Sequence, residues 1–145
     1  MKGKRILIVG GGKVASRRAE ILRSFGAGIS IVSPTITRQL EEMAARGEIV
    51  HVERKYVRDD IERFRPFLTM ATTDCRETNT AIAQDARKIG IPVIVADCRN
   101  ECDCYFPAIA DDESYVAGLV SKNGDHRGAS TVAEKIRRLL KENHQ

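Results

Sequence analysis

The chain has 145 residues, 42% hydrophobic and 30% charged, with a formal net charge of +4. That composition predicts a soluble, globular protein large enough to bury a core. It has no apolar run near the roughly 20 residues that span a bilayer. Lys and Arg never run beyond two in succession, aromatics are 5% and Trp is absent. Stacking platforms for nucleic acid are therefore scarce, and a polyanionic small molecule suits the basic balance better. The first apolar run is short and ends in glycines, unlike a secretory leader, so the expected location is the cytoplasm, with neither nucleic acid nor membrane as partner.

In chain order, Arg5–Val9 is a continuous apolar run, as expected of a strand buried on both faces. Val14–Phe25 carries apolar residues at helical spacing and is stopped by Gly26 and Gly28. Ile29–Ser33 reads as a strand, 36–46 as a helix closed by Gly47, and Ile49–Glu53 as a third strand. A short helix over Asp59–Phe64 ends at Pro66. Phe67–Ala71 is the fourth strand, Glu77–Ile89 a helix stopped by Gly90, and Pro92–Ala96 the fifth strand. Strict alternation of this kind predicts an α/β, Rossmann-type doubly wound parallel sheet. After Arg99 the rhythm changes. Tyr105–Ala110 and Tyr115–Ser121, joined at Asp111-Asp112-Glu113, suggest an antiparallel hairpin. Thr131–Glu142 follows as a helix with Val132, Ile136, Leu139 and Leu140 on one face. This tail either covers a sheet edge or pairs with a second subunit. The expected division is a dinucleotide-binding region at 1–99 and a hairpin-plus-helix region at 100–145.

Gly10-Gly11-Gly12-Lys13-Val14-Ala15 fits G-x-G-x-x-A and lies directly between a strand and a helix, the context that the motif requires. Gly10 permits the tight turn, Gly12 lets a pyrophosphate approach the backbone, and Ala15 allows close helix–strand packing. The N–H groups of Lys13 and Val14 begin the helix and face phosphate. The motif thus predicts an NAD(P)-type cofactor. The second strand ends Ser33-Pro34-Thr35, without the acidic residue that grips ribose hydroxyls. Ser33 or Thr35 can bond the ribose more weakly, and chemistry alone leaves NAD against NADP open.

Two further strand ends carry polar groups. Thr72-Thr73-Asp74 follows the fourth strand, where open α/β sheets bind ligands, and the same residue types also cap helices. Asp97 follows the fifth strand, close to the expected nicotinamide position. A carboxylate there can accept a proton while hydride leaves for the cofactor, or it can simply cap the turn or pair with Arg99.

Gly10–Ala15, Ala71-Thr72-Thr73-Asp74 with Asn79, Val95-Ala96-Asp97, and Cys102-Asp103 followed by Phe106-Pro107-Ala108-Ile109 occur in that order. Together they resemble the precorrin-2 dehydrogenase family of sirohaem synthesis, which includes the N-terminal module of sirohaem synthase. The resemblance covers nearly the whole chain, and the Phe-Pro-Ala-Ile segment is its most specific part. It implies NAD-dependent oxidation of precorrin-2 to sirohydrochlorin, with Asp97 matching the family's catalytic Asp. It also implies a homodimer joined through the hairpin and last helix, and in some members ferrous iron insertion into the product. Arg99, Lys122, His126 and Arg127 are placed to receive the substrate's carboxylates, or else form a solvated basic surface. Family members generally continue with a further helical region beyond the point corresponding to Gln145, and the sequence leaves open whether a partner supplies it. The loop Ser121–Gly128 is also longer and more charged than in the family.

Cys98, Cys102 and Cys104 adjoin Asp97. Three thiols at this spacing, with His126, could bind metal, but ordinary reduced thiols are the expected state and no metal site is assigned. Two other functions compete with the dehydrogenase. One is a non-catalytic NAD(H)-sensing module or partner-dependent subunit. The other, resting on the cysteines alone, is a metal-handling chaperone.

Overall fold

Ile6, Leu7, Ile8 and Val9 are each at most 1% exposed. A strand so apolar on both faces is stable only in the middle of a covered parallel sheet, and a computed structural model, describing residues 1–142, puts it there. The chain divides into two compact units, Met1–Cys104 and Tyr105–Gln145.

The first unit runs β1 (Arg5–Val9), α1 (Lys13–Ser24), β2 (Gly28–Val32), α2 (Arg38–Ala45), β3 (Val50–Val52), α3 (Asp60–Phe64), β4 (Leu68–Ala71), α4 (Arg76–Lys88), β5 (Val93–Val95) and a 3-10 turn, Arg99–Glu101. The five strands are parallel in the order β3-β2-β1-β4-β5. The expected α/β doubly wound sheet is therefore present. The chain winds outward from β1 to β3, then returns to the other side of β1. Such a reversal opens a crevice at the carboxyl ends of β1 and β4, where ligands bind in sheets of this kind.

Helix ends follow their caps. α2 starts two residues later than the apolar spacing predicts, because the Thr37 side chain accepts from the Leu40 N–H at 3.4 Å and fixes the start there. One face of the sheet centres on Leu7, Val9, Val32, Ile61, Ile82, Ala83, Ala86 and Val93. Beside it, the Asp60 carboxylate is fully buried. Arg54 reaches it through two N–H groups, at 2.8 and 2.5 Å, and the Val57 N–H donates at 2.9 Å.

Among the described residues no strand pairs with the outer edge of β5; a strap covers it instead. Asp103 N–H donates to the Val93 carbonyl at 2.9 Å, and Val93 N–H donates to the Asp103 carboxylate at 3.0 Å. The Cys102 thiol accepts from Val95 N–H and donates to the Val95 carbonyl, both at 3.2 Å. A side chain thus satisfies backbone groups that an exposed edge would offer to another strand.

The second unit is the antiparallel hairpin β6 (Ala108–Asp111) and β7 (Val116–Leu119), followed by α5 (His126–Glu142). β6 begins three residues later than expected, since Pro107 has no N–H to give a ladder. Asp111 belongs to the strand, and the turn closes at Asp112, whose carboxylate accepts from Ser114 and Tyr115 N–H at 2.8 and 2.6 Å. α5 begins five residues earlier than the expected Thr131. Asp125 caps it by accepting from Gly128 N–H at 2.8 Å, so His126 and Arg127 belong to its first turn rather than to a loop. Ala133 is buried on this helix, whereas Val132 and Leu139, two of the residues expected to share one apolar face, are 45% and 58% exposed. Among the described residues, no helix is long and apolar enough to cross a membrane.

Candidate dinucleotide site and strand-end carboxylate

The glycine turn between β1 and α1 is held from both sides. Gly10 has φ +112°, and a Cβ there would lie 2.6 Å from the Thr72 carbonyl oxygen. No L side chain fits that backbone or that gap. A Cβ on Gly11 would run into the Thr35 carbonyl oxygen and Ile36. A Cβ on Gly12 would meet nothing within 4 Å. The turn therefore touches the loop after β4 at Gly10 and the loop after β2 at Gly11, and it opens at Gly12.

Gly12 is the N-cap of α1 and gives it no side-chain cap. The first N–H groups of α1, at Lys13 and Val14, thus face an open cradle at the positive end of the helix. That combination fits a pyrophosphate. Ala15 and Ala19 are fully buried, so α1 sits tight against the sheet and keeps the cradle aimed.

Ser33, Pro34 and Thr35 follow β2, and Thr72 and Thr73 follow β4. The Ser33, Thr72 and Thr73 hydroxyls are already engaged, and Thr35 takes part through its carbonyl. Ser33 Oγ donates to the Thr35 carbonyl at 2.7 Å, and His51 Nε2 lies 2.9 Å from the Ser33 carbonyl. Thr72 Oγ1 donates to the Val9 carbonyl at 2.9 Å. Thr73 Oγ1 donates to the Asn79 side-chain oxygen at 2.7 Å, and the Thr73 N–H does so at 3.1 Å. Asn79 is fully buried and returns a bond to the Thr73 carbonyl at 3.0 Å. Ser33, Thr72 and Thr73 thus spend their hydroxyls on shaping the loops around the cradle.

Three residues outside the sequence-based site emerge. Gly11 occupies a position that the motif leaves open to any residue, yet only Gly fits. Ser16 Oγ and Thr37 Oγ1 lie 2.6 Å apart and tie α1 to the start of α2. Thr37 N–H donates to the Gly11 carbonyl at 3.0 Å. The link between Thr37 and Ser16 had no sequence signal, since the two lie 21 residues apart.

Asp97 sits in the turn just past β5, beside β4 through the Ala96 N–H bond to the Ala71 carbonyl at 2.9 Å. It is the Arg76 guanidinium, at the start of α4, that pairs with it: Nη1 donates to Asp97 Oδ1 at 2.5 Å. Arg76 Nη2 also donates to the Glu101 carboxylate, and to Thr80 Oγ1 at 2.8 Å. The bond to Glu101, followed by the nearby charges, raises the Arg76 guanidinium above its ordinary value. Arg99 lies in the 3-10 turn of the first unit, while Lys122, His126 and Arg127 lie between β7 and the first turn of α5 in the second.

The cysteines do not assemble into a site. Among the described residues, no group of three or more His, Cys, Asp or Glu side chains is arranged to hold a metal. Burial first, then the neighbouring Asp103 charge, pushes the Cys104 thiol up, away from the thiolate that ligates metals.

Residues 1–108 match the sequence model of the family described as "Putative NAD(P)-binding". The chain belongs to this NAD(P)-binding family. It is 45% identical over 140 residues to the probable multifunctional siroheme biosynthesis protein HemA of Ruminiclostridium josui, covering 96% of this chain and 27% of that protein. It is 38% identical over 137 residues to the siroheme synthase of Stutzerimonas stutzeri, covering 94% of this chain and 28% of that protein. The chain thus spans about a quarter of the length of these curated relatives. Among solved structures, SirC, a precorrin-2 dehydrogenase, superposes with a TM-score of 0.76 at 22% identity, over 99% of this chain and 68% of that one. That superposition covers both units of this NAD(P)-binding chain and establishes their fold.

Proposed function

We propose that the chain is an NAD-dependent precorrin-2 dehydrogenase acting in sirohaem synthesis. The observation that carries this reading is a strand-end carboxylate, Asp97, on the same sheet edge as a pyrophosphate cradle, in a chain similar to siroheme synthases. The Gly10–Val14 turn holds the dinucleotide, with Gly12 leaving room and the Lys13 and Val14 N–H groups receiving phosphate. NAD, when bound, supplies the hydride acceptor. Asp97 takes the proton that the substrate loses alongside the hydride, and releases it to water. Precorrin-2 and NAD+ thereby give sirohydrochlorin, NADH and a proton. Arg99, Lys122, His126 and Arg127 are proposed to receive carboxylates of the substrate.

The β2 end offers no carboxylate to reject a 2′-phosphate, so the proposed preference for NAD over NADP rests on the family resemblance and not on this loop. A homodimer formed through the second unit, and a cytoplasmic location, belong to the same proposal.

Anaerobic protein mixed with precorrin-2 and NAD tests it, following NADH absorbance together with the sirohydrochlorin spectrum. Both should rise in step. Asp97→Ala should lower turnover by about a hundredfold or more while sparing NAD affinity. NAD binding with no turnover in the unaltered chain would instead indicate a sensor or a partner-dependent subunit.

A further inference from the structure

We propose that Arg76 and Glu101 form a positioning device for Asp97, fixing one carboxylate oxygen and leaving the other open to take a proton. This inference rests on the reading of Asp97 as the base. Arg76 uses one nitrogen for Asp97 Oδ1, at 2.5 Å, and another for Glu101 and Thr80. Of the two Asp97 oxygens, Oδ1 is the one that accepts from Arg76, so a planar cation singles out one oxygen of the carboxylate and makes the two unequal.

The tether has work to do because Asp97 lies beyond the last ladder residue of β5, in a turn. Its side chain is 39% exposed, so packing does not select its rotamer. An untethered carboxylate would spread over several rotamers, most of them away from the reacting carbon. The guanidinium fork fits this task, since it presents separate N–H groups in a fixed plane. Glu101 and Thr80 complete the device. When Asp97 takes a proton it loses its charge and with it much of its hold on Arg76. Glu101 still pairs with the guanidinium, and Thr80 holds the same nitrogen. Arg76 is thus in place when the proton leaves and the carboxylate re-forms. Glu101 also belongs to the turn that follows Asp97, so one cation spans both ends of that turn and the start of α4.

Arg76→Gln, Arg76→Lys, Glu101→Gln, Asp97→Asn and the Asp97→Asn/Glu101→Gln double variant test the device in the full chain. Arg76→Gln should lower kcat by about ten- to a hundredfold, with KM for NAD and precorrin-2 and the melting temperature unchanged. Arg76→Lys should recover part of that loss, because an ammonium can hold a carboxylate but cannot bridge two in a plane. A second readout needs neither substrate nor cofactor. In 15N–1H spectra, rotation of the Arg76 guanidinium should be slow in the unaltered chain and in each carboxylate single variant, and fast in the double variant. Fast rotation in the unaltered chain overturns the proposal. Wild-type kcat in Arg76→Gln, with Asp97→Asn inactive, overturns it and leaves Asp97 as the base. A kcat loss accompanied by weaker NAD binding and a lower melting temperature also overturns it, since that marks a fold staple. Wild-type turnover in Asp97→Asn removes the base assignment and the positioning role together.

Discussion

The two units bury apolar surface to very different degrees. In residues 1–104 the strands β1, β2, β4 and β5 and the inner faces of α1, α2 and α4 supply nearly every buried apolar side chain. Among the described residues of the second unit only Ala110 and Ala133 are buried apolar residues, while Tyr115, Val116, Val120 and Leu139 are each more than half exposed. A unit of about 40 residues rarely builds an adequate core alone and usually gains one by association. Exposed apolar side chains gathered on a hairpin and an amphipathic helix mark an interaction surface more often than a solvent face. The first unit therefore carries a self-sufficient fold with a ligand cradle, and the second carries a surface suited to the proposed subunit contact. Substitutions in the first should be read in unfolding, and substitutions in the second in association.

The largest expected effect lies at Asp60. Burial alone would push its carboxyl up, but the Arg54 bonds and the Val57 N–H more than reverse this, so its folded value lies below the ordinary one. Arg54→Met leaves a fully buried carboxylate without its cation. The cost in urea unfolding should be about 3 kcal/mol, the low end for a broken buried pair, because Arg54 itself is 37% exposed. The pH dependence fixes the sign independently. A depressed folded pKa contributes stability that is present above the unfolded value of about 3.9 and is lost as pH falls through the folded value. Stability of the unaltered chain should therefore decline on acidification below about pH 4, and Asp60→Asn should flatten that decline. An unchanged acid limb in Asp60→Asn would show that the pair does not set it.

A smaller loss is expected at Gly11. Its added methyl in Gly11→Ala has no room against the Thr35 carbonyl oxygen and Ile36, so the loop after β2 must shift. Overpacking of this kind costs about 2 kcal/mol. The shift also displaces a wall of the cradle, so NAD affinity, measured by titration calorimetry, should fall with stability. Gly12→Ala separates the two effects: its methyl meets no protein atom within 4 Å, so it should weaken NAD binding while leaving the fold almost unchanged.

These glycines also show what sequence reasoning reached. The G-x-G-x-x-A motif and the apolar runs revealed the parallel sheet, the cradle and the strand-end position of Asp97, because each depends on local periodicity and on residues adjacent in the chain. Gly11 escaped because the contact that requires glycine comes from residues 35 and 36. Arg76 escaped for the same reason: its partners lie 21 and 25 residues away, and a single Arg at a helix start has no pattern to detect. The start of α5 was misjudged because Gly128 and Ser130 lower helix propensity, whereas the Asp125 cap outweighs them. Cys102 looked like a member of a thiol cluster, yet its sulfur serves β5 as a substitute backbone partner.

The smallest effect on the fold, and the sharpest test of the contrast between the units, is expected at Leu139. It is 58% exposed on α5, so Leu139→Glu should change the stability of an isolated subunit by no more than about 0.5 kcal/mol. In a homodimer formed through this helix, the same change buries an unpaired carboxylate, whose desolvation opposes association. Sedimentation velocity should then report a dimer for the unaltered chain and a monomer for Leu139→Glu, with closely similar melting of the first unit. The monomer should still bind NAD, because Gly10, Gly12, Lys13, Val14 and the loops that shape the cradle all lie in residues 1–104. A monomer in the unaltered chain would remove the proposed dimer. A dimer that survives Leu139→Glu would move the contact away from this face of α5. Loss of turnover with NAD affinity intact would assign to association the completion of the substrate pocket rather than of the cofactor cradle.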